Sequence, residues 1–441
     1  MQSGPRPFQI ALIAIFVVLM FVGGVLFVTY QPSSQTDAPV FGNQVQIWGT
    51  LDRQVVNKMI QDIRAEVEDF QVVSYRQLDE RTFVAELVDA IAEGRSPDVV
   101  LIPHTELANL RTKITPIPYD SQIPGYDQRT HLDTYADGAE IFTLSDGIYA
   151  TPLAVDPLVM YWNRDIFSAN NFAAAPRTWE EIVGDVVPTV VVRDFNRNIL
   201  LSPIALGEFS NITNAFAIVS TLLLQGGSQM VLEDGRTYQV SLDRSVNANV
   251  QRPLTSALEF FTSFSTVNNP LYSWNRVQAQ DTNAFAAGDL AVYLGLGSEY
   301  DNLARLNPNL NFDIAEVPQA AGTSVRRTYG DYYGLAILRA SQNQNGALAA
   351  IRTIASRPQQ LSLFSSSLSM APARRDLLTA GSFNPIEQIR YRAAIAAFGW
   401  LSPEPIVATE AFADGVEDIL SNRSSVSEAV RAIMFSISNG Y

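Results

Sequence analysis

Residues 151–180 read TPLAVDPLVMYWNRDIFSANNFAAAPRTWE. The run from Pro157 to Trp162 is rich in residues that favour a strand, and it ends at Asn163, a side chain suited to cap a short helix from Arg164 to Ala169. Asn170 and Asn171 supply a turn. Pro176 then precedes Thr178-Trp179-Glu180-Glu181, a Thr-x-x-Glu capping box that opens another helix. Taken alone the segment is an ordinary strand, helix, helix unit. Its weight comes from what lies on either side of it.

Upstream, Val45 to Trp48 reads as a buried strand. Asp52 to Phe70 follows as a helix with Val55, Met59, Ile63 and Val67 on one face. Val72 to Tyr75 is a second strand candidate, Thr82 to Glu93 a helix striped by Phe83, Leu87 and Ile91, and Asp98 to Ile102 a third strand. Strand alternating with helix in this way predicts a parallel sheet with helices on its faces. The grammar resumes downstream. Thr189 to Val192 is a strand candidate, Asn211 to Leu224 and Leu254 to Phe264 are apolar helices, and Asp281 to Ala287 is a helix stopped by Gly288. Strands are expected at Leu290 to Leu294, Phe312 to Pro318 and Gly334 to Leu338, with helices from Asn345 onward.

A chain of 441 residues exceeds the size at which one core usually divides, so two lobes are expected. Lysine plus arginine number 30 against 45 aspartate plus glutamate, a net charge of −15 that argues against nucleic acid or an anionic membrane surface as the main partner. The absence of cysteine excludes disulfides, thiol nucleophiles, cysteine zinc sites and lipid attachment at an N-terminal cysteine. Phe8 to Tyr30 is 23 residues without a charge, enough at about 1.5 Å per residue to cross a hydrocarbon core of about 30 Å. No Ala-x-Ala cleavage site follows, so a retained signal anchor is expected. Arg6 places residues 1–7 in the cytoplasm, with residues 31–41 a tether and the body outside a bacterial cell membrane crossed once.

Several segments, in order, resemble the extracellular solute-binding proteins that include maltose and other sugar receptors of ABC importers. They are Ile47-Trp48-Gly49, Gly94 to Val100, the crossover from Thr151, Leu206-Gly207, Gln225-Gly226-Gly227, Asn283 to Tyr293, and Tyr329 to Ile337. The likeness spans about residues 45–435; it departs from the family in lacking a lipobox cysteine and in placing Val292 where methionine is common. The resemblance implies an α/β, two-lobed periplasmic-binding-protein-like fold of type II, with a hinge and a cleft that closes on a ligand. The lobes are expected at residues 42–152 with 283–330 and at 153–282 with 331–441. The implied function is a membrane-anchored solute receptor that captures a sugar or oligosaccharide and delivers it to importer permease subunits, without covalent chemistry, metal or cofactor.

In open α/β sheets ligands collect beyond the carboxyl ends of strands, and sugars need an aromatic face ringed by carboxylates and amides. Trp48, Thr50 and Asp52 follow the first strand, and His104 and Thr105 the third. Asp156 sits in the crossover. Glu208 and Asn211 open a helix, and Trp274, Tyr300, Tyr332 and Trp400 lie near expected crossings or helix ends. Each has a plainer reading. Trp48, Trp274 and Trp400 suit a core, Asp156 suits a turn before Pro157, and Asn211 suits a helix cap.

Other chemistries are poorly served. Asp194-Phe-Asn196-Arg-Asn198 opens like a calcium loop but has Ile199 and Ala205 where glycine and glutamate belong, so a hairpin turn is expected. Lys58 and Lys113 are the only lysines and neither lies in a P-loop, and histidines 104 and 131 accompany no Gly-x-Ser-x-Gly. A hydrolase using Asp156 and Glu208 needs those carboxyls within about 5 to 9.5 Å. A ligand-sensing or adhesive surface protein of the same fold is the other alternative.

Overall fold

The computed structural model describes residues 41–235, 237–246, 252–402 and 405–441. The expected span at 8–30 lies outside the described residues, as does the tether up to residue 40. Phe41, expected in the tether, is instead buried, with its ring edge-on to Phe70 at 5.6 Å. Among the described residues no helix is long and apolar enough to cross a membrane.

The first strands and helices fall close to their sequence positions: β1 (Val45–Gly49), α1 (Arg53–Glu66), β2 (Val73–Gln77), α2 (Phe83–Ala92) and β3 (Val99–Pro103). Asp52 caps α1 by accepting from the Gln54 and Val55 amides, which sets where the helix starts. The buried face of α1 is Val56, Met59, Ile60 and Ile63, rotated slightly from the expected stripe. Both β2 and β3 pair with β1 in parallel, as the alternation of elements requires.

The decisive element is β4 (Thr151–Asn163), thirteen residues long. It is followed by α3 (Arg164–Ala169), β5 (Ile199–Ile204), α4 (Ala215–Gln225), α5 (Pro253–Ser263), α6 (Asp281–Ala287), β6 (Leu290–Leu296), β7 (Phe312–Glu316) and β8 (Thr328–Ile337). The C-terminal helices are α7 (Gln344–Ala355), α8 (Pro358–Ser367), α9 (Pro385–Ile395), α10 (Pro405–Leu420) and α11 (Val426–Asn439). The Asn163 carboxamide caps α3, and Thr178 accepts from the Glu181 amide while the Glu181 carboxylate turns back to the Arg177 amide. Asn171 takes the left-handed conformation, φ 63°, that the turn demands.

One sheet runs through both halves in the order β2-β1-β3-β8-β4-β6-β5. Residues 151–157 of β4 pair antiparallel with β8, and residues 158–162 pair antiparallel with β6. β8 in turn lies against β3. The changeover on β4 therefore falls between Pro157 and Leu158, one residue past Asp156, and β8 carries a bulge between Tyr333 and Gly334, opposite residues 152–154 of β4.

Cores form on each side of this changeover. The larger contains Tyr161, Phe167, Trp274, Phe285, Tyr293 and Phe412. The first half has one core on each face of its sheet, around Ile60, Phe70, Leu335 and Ile351 on one face and Phe83, Leu87, Val100 and Tyr332 on the other. At about 1.5 to 3 kcal/mol for each fully buried large apolar side chain, these cores dominate the favourable side of folding.

The division of residues between lobes differs from the sequence expectation. Ala284, Phe285, Leu290 to Leu294 and Leu303 pack with the second core, because β6 pairs with β4 beyond the changeover and with β5. α7 and α8 pack with the first half, while α10 and α11 return to the second. Two element assignments also change. Residues 187–190 are helical, leaving only Val192–Arg193 as strand, and α4 starts at Ala215 rather than Asn211. The Asp194 loop is the expected hairpin turn, with Asp194 Oδ1 accepting from the Asn196 and Asn198 amides.

Candidate functional site

The β4 and β8 changeover gathers the most unusual chemistry in the molecule. Asp156 and Asp331 are direct partners across the antiparallel pair, so their side chains leave the same face. Asp156 is buried and Oδ1 accepts from the Ser298 amide at 3.0 Å, just past the end of β6. Burial, with Asp331 and Glu299 adding like charge, pushes the Asp156 carboxyl up to about 8 against the pull of Ser298. The group is therefore neutral at pH 7. Asp331 accepts from the Tyr329 hydroxyl at 2.6 Å and keeps about a fifth of its side chain in contact with solvent. Burial raises it to about 6, opposed by Tyr329 and reinforced by Glu80, which follows β2.

His104, immediately after β3, enters the same cluster from the first half. Nδ1 accepts from the Tyr332 amide at 3.2 Å and lies 3.9 Å from Asp331 Oδ1. Burial drives its pKa down to about 3, so the ring is neutral with its proton on Nε2. That nitrogen is buried without a hydrogen-bond partner among the described residues, and its ring abuts Gly399 so closely that a Cβ there would overlap it. The ends of β2, β3 and β6 thus converge on the changeover, where an open α/β sheet presents its ligands. An aromatic chain extends from this point into the second half: His104 to Tyr329 at 5.9 Å, Tyr329 to Phe216 at 5.8 Å, and Phe216 stacked on Trp400 at 5.7 Å.

Behind Asp156, Glu299 is held by the Asn214 carboxamide at 2.9 Å, the Leu296 amide at 3.2 Å and the Tyr293 hydroxyl. Arg390 of α9 is buried beside Gly297, with its guanidinium 5.7 Å from the Tyr300 ring centre. A carboxylate only partly open to solvent needs such donors, and three of them fix Glu299 in place.

The candidates from sequence divide between this cluster and the scaffold. Asp156 and His104 belong to the cluster, with Thr105 half-buried one residue on. Tyr332 supplies its amide to His104, but its ring is fully buried and its hydroxyl donates to the Ala397 carbonyl at 3.0 Å. Trp48 is buried with the Arg76 guanidinium 4.5 Å over its ring, so that face is already covered. Asp52 is spent on capping α1, and the Thr50 carbonyl accepts from Gln77.

In the second half, Trp274 is fully buried and donates to Asn211 Oδ1 at 3.0 Å, while Asn211 Nδ2 donates to the Asn275 and Gln278 carbonyls. These two side chains complete each other inside the core. Glu208 is buried 3.5 Å from Arg276, which also grips Glu417 with two hydrogen bonds. Burial raises Glu208 while Arg276 pulls it back. Tyr300 is half-buried against Phe312 at 5.2 Å, and Trp400 is buried with its indole nitrogen donating to Ser220 at 3.2 Å. Asp331, Ser298 and Glu80 were absent from the sequence candidates. An aspartate inside the β-rich run 328–337 is as anomalous as Asp156 inside 151–163, and that was the available signal.

Among the described residues no group of three or more histidine, aspartate or glutamate side chains is arranged to hold a metal ion. The cluster combines two carboxyls of raised pKa, a pair suited to hydroxyl groups, with Tyr329 and His104 packed as their support.

A family model described as bacterial extracellular solute-binding protein matches residues 64–361. Solved structures with similar folds include a cyclo/maltodextrin-binding protein complexed with maltotetraose, at TM-score 0.70 and 14% identity over 90% of this chain and 96% of that one. A cyclic alpha-maltosyl-1,6-maltose binding protein from Arthrobacter globiformis aligns at 0.71 and 16%, over 90% and 98%. An extracellular solute-binding protein from Staphylococcus aureus in complex with maltose aligns at 0.68 and 14%, over 90% and 97%. No curated protein matches the chain.

Proposed function

Because the chain belongs to the bacterial extracellular solute-binding protein family, we propose that it is a receptor for a sugar or oligosaccharide, which it binds at the β4 and β8 changeover by closing its two halves. One observation carries the reading: Asp156 and Asp331 face the same side of the two strands on which the halves meet. A ligand held there touches both halves, and closure follows from its preference for the arrangement that brings both sets of donors to it. Neutral Asp156 both donates and accepts and Asp331 accepts, a mixture that vicinal hydroxyls satisfy. The maltose and maltotetraose held by the structural neighbours support a saccharide over other solutes.

The reading extends to anchoring by residues 8–30 and delivery of the solute to the permease subunits of an ABC importer. The uncharged length of that segment supports the anchor. Calorimetry of the full chain against a saccharide panel tests the ligand class: micromolar or tighter binding of one saccharide is expected. Binding of a different solute class with no response to any sugar refutes the saccharide assignment. Intact mass of the membrane-extracted protein tests the anchor, which fails if the first thirty residues are missing.

A further inference from the structure

A second site lies outside the changeover. Of the thirteen residues of β4, twelve are buried and one is not, Trp162. It opens on a cavity of about 570 Å³ bounded by residues 174–178, β7, residues 319–326 and α9. That volume falls within the range of about 300 to 1,000 Å³ usual for small-molecule sites. Asp331, Asp156, Ser298, His104 and Tyr329 contribute nothing to its lining.

The walls are chemically specific. Trp162 and Asp313 are direct partners across β4 and β7, so the indole and the carboxylate leave the same face. Phe167 meets the indole edge-on at 5.2 Å and limits its movement. Glu316 anchors two guanidiniums, Arg326 at 2.7 Å and Arg392 at 3.6 Å, each about half exposed. Each guanidinium has five N–H groups, so most of their donors remain directed elsewhere. Across the cavity, Arg177 has no carboxylate partner among the described residues, and the Trp162 indole N–H has no acceptor among them. The charged lining is Arg177, Arg326 and Arg392 against Asp313 and Glu316, one net positive charge.

This balance discriminates between ligand classes. An apolar ligand would displace water from Arg177, Asp313 and the free donors of the two half-exposed guanidiniums without replacing its hydrogen bonds, and an anion would meet two carboxylates along with the arginines. A polyhydroxylated ring answers each feature: its C–H face covers the indole, and its hydroxyls accept from arginine and donate to aspartate. We infer that this cavity is a second saccharide site, holding one pyranose-sized unit of a sugar outside the changeover.

The test uses the full chain with maltose, cellobiose, xylobiose and chitobiose, followed by saturation-transfer NMR and calorimetry. The variants are Arg326→Ala/Arg392→Ala, Trp162→Leu and, at the changeover, Asp331→Asn. The expected result is that at least one disaccharide retains a binding event in Asp331→Asn, and that this event weakens at least tenfold in the double arginine variant. Trp162→Leu is expected to reproduce the loss; because both arginines are half exposed, the double variant remains informative if the leucine variant fails to fold. Binding abolished by Asp331→Asn and unchanged by the arginine variant overturns the second site and leaves the changeover reading standing. No binding event sensitive to the arginine variant, for any of the four sugars, also overturns it.

Discussion

Replacing Asp156 by asparagine probes the proton that the changeover holds. The substitution keeps shape and keeps an oxygen to accept from the Ser298 amide, but removes the titration. In the folded protein burial and neighbouring carboxylates raise this carboxyl from 3.8 to about 8. A carboxyl raised on folding supports the folded state fully only below its unfolded pKa. Between pH 4 and pH 8 the unfolded chain loses this proton while the folded chain keeps it, so stability falls as pH rises through that window. At about 1.36 kcal/mol per unit over some four units, the loss is on the order of 5 kcal/mol. Above pH 8 both states are ionised and the penalty is constant. Urea unfolding of wild type and Asp156→Asn at pH 4, 6, 8 and 9 measures the difference. The two are expected to be close at pH 4, with the variant progressively more stable up to pH 8 and no further divergence at pH 9. Parallel pH profiles from 4 to 9 would refute a neutral Asp156.

Asp331→Asn is expected to weaken saccharide binding by roughly 10- to 100-fold in calorimetry, the equivalent of one charge-assisted hydrogen bond of about 1.5 to 3 kcal/mol. Its own pH effect is confined to the interval between pH 3.8 and about 6, again with stability lost as pH rises. Trp274→Ala is expected to cost about 3 to 5 kcal/mol in urea unfolding, since the indole is fully buried and its removal also strips Asn211 of a donor. A loss of sugar affinity without a loss of stability would return Trp274 to the ligand site. Gly399→Ala is expected to destabilise by about 1 to 3 kcal/mol because the new methyl overlaps the His104 ring; an unchanged unfolding midpoint counts against that packing. His104 is expected to show no protonation step between pH 5 and 8 by NMR. Its contribution to stability is lost as pH falls from about 6.5 towards 3, where the unfolded chain alone takes up the proton.

Much of the architecture was legible because local rules decide it. Asn163 and Thr178 cap their helices, Gly288 ends α6 in the left-handed conformation at φ 86°, and the β/α alternation orders the first three strands. Lobe membership was not legible, because it depends on which side of Asp156 a distant strand pairs with β4, and β6 could take either side until its register was known. The site was half legible for the same reason. Asp156 stood out as a carboxylate inside an apolar run, yet its partner Asp331 lies far along the chain and acquires meaning only through pairing. Trp274 and Asn211 were placed in the site for want of the opposite information. A tryptophan in the connection between two helices is ambiguous until a buried carboxamide is found to accept its indole proton.

The continuous sheet also dictates the order in which the chain becomes able to fold. β3 takes β8 as its neighbour, so Pro103 waits for Tyr333, and β5 takes β6, so Ser202 waits for Leu290. A chain emerging from its N-terminus has the first three strands early but lacks the strand that covers β3 until most of its length is out. Pairings this distant carry a high closure entropy and form slowly. A polypeptide passed through a membrane pore before residue 337 has been made therefore travels without a finished half, and the same long-range pairing that joins the two halves keeps the nascent chain threadable.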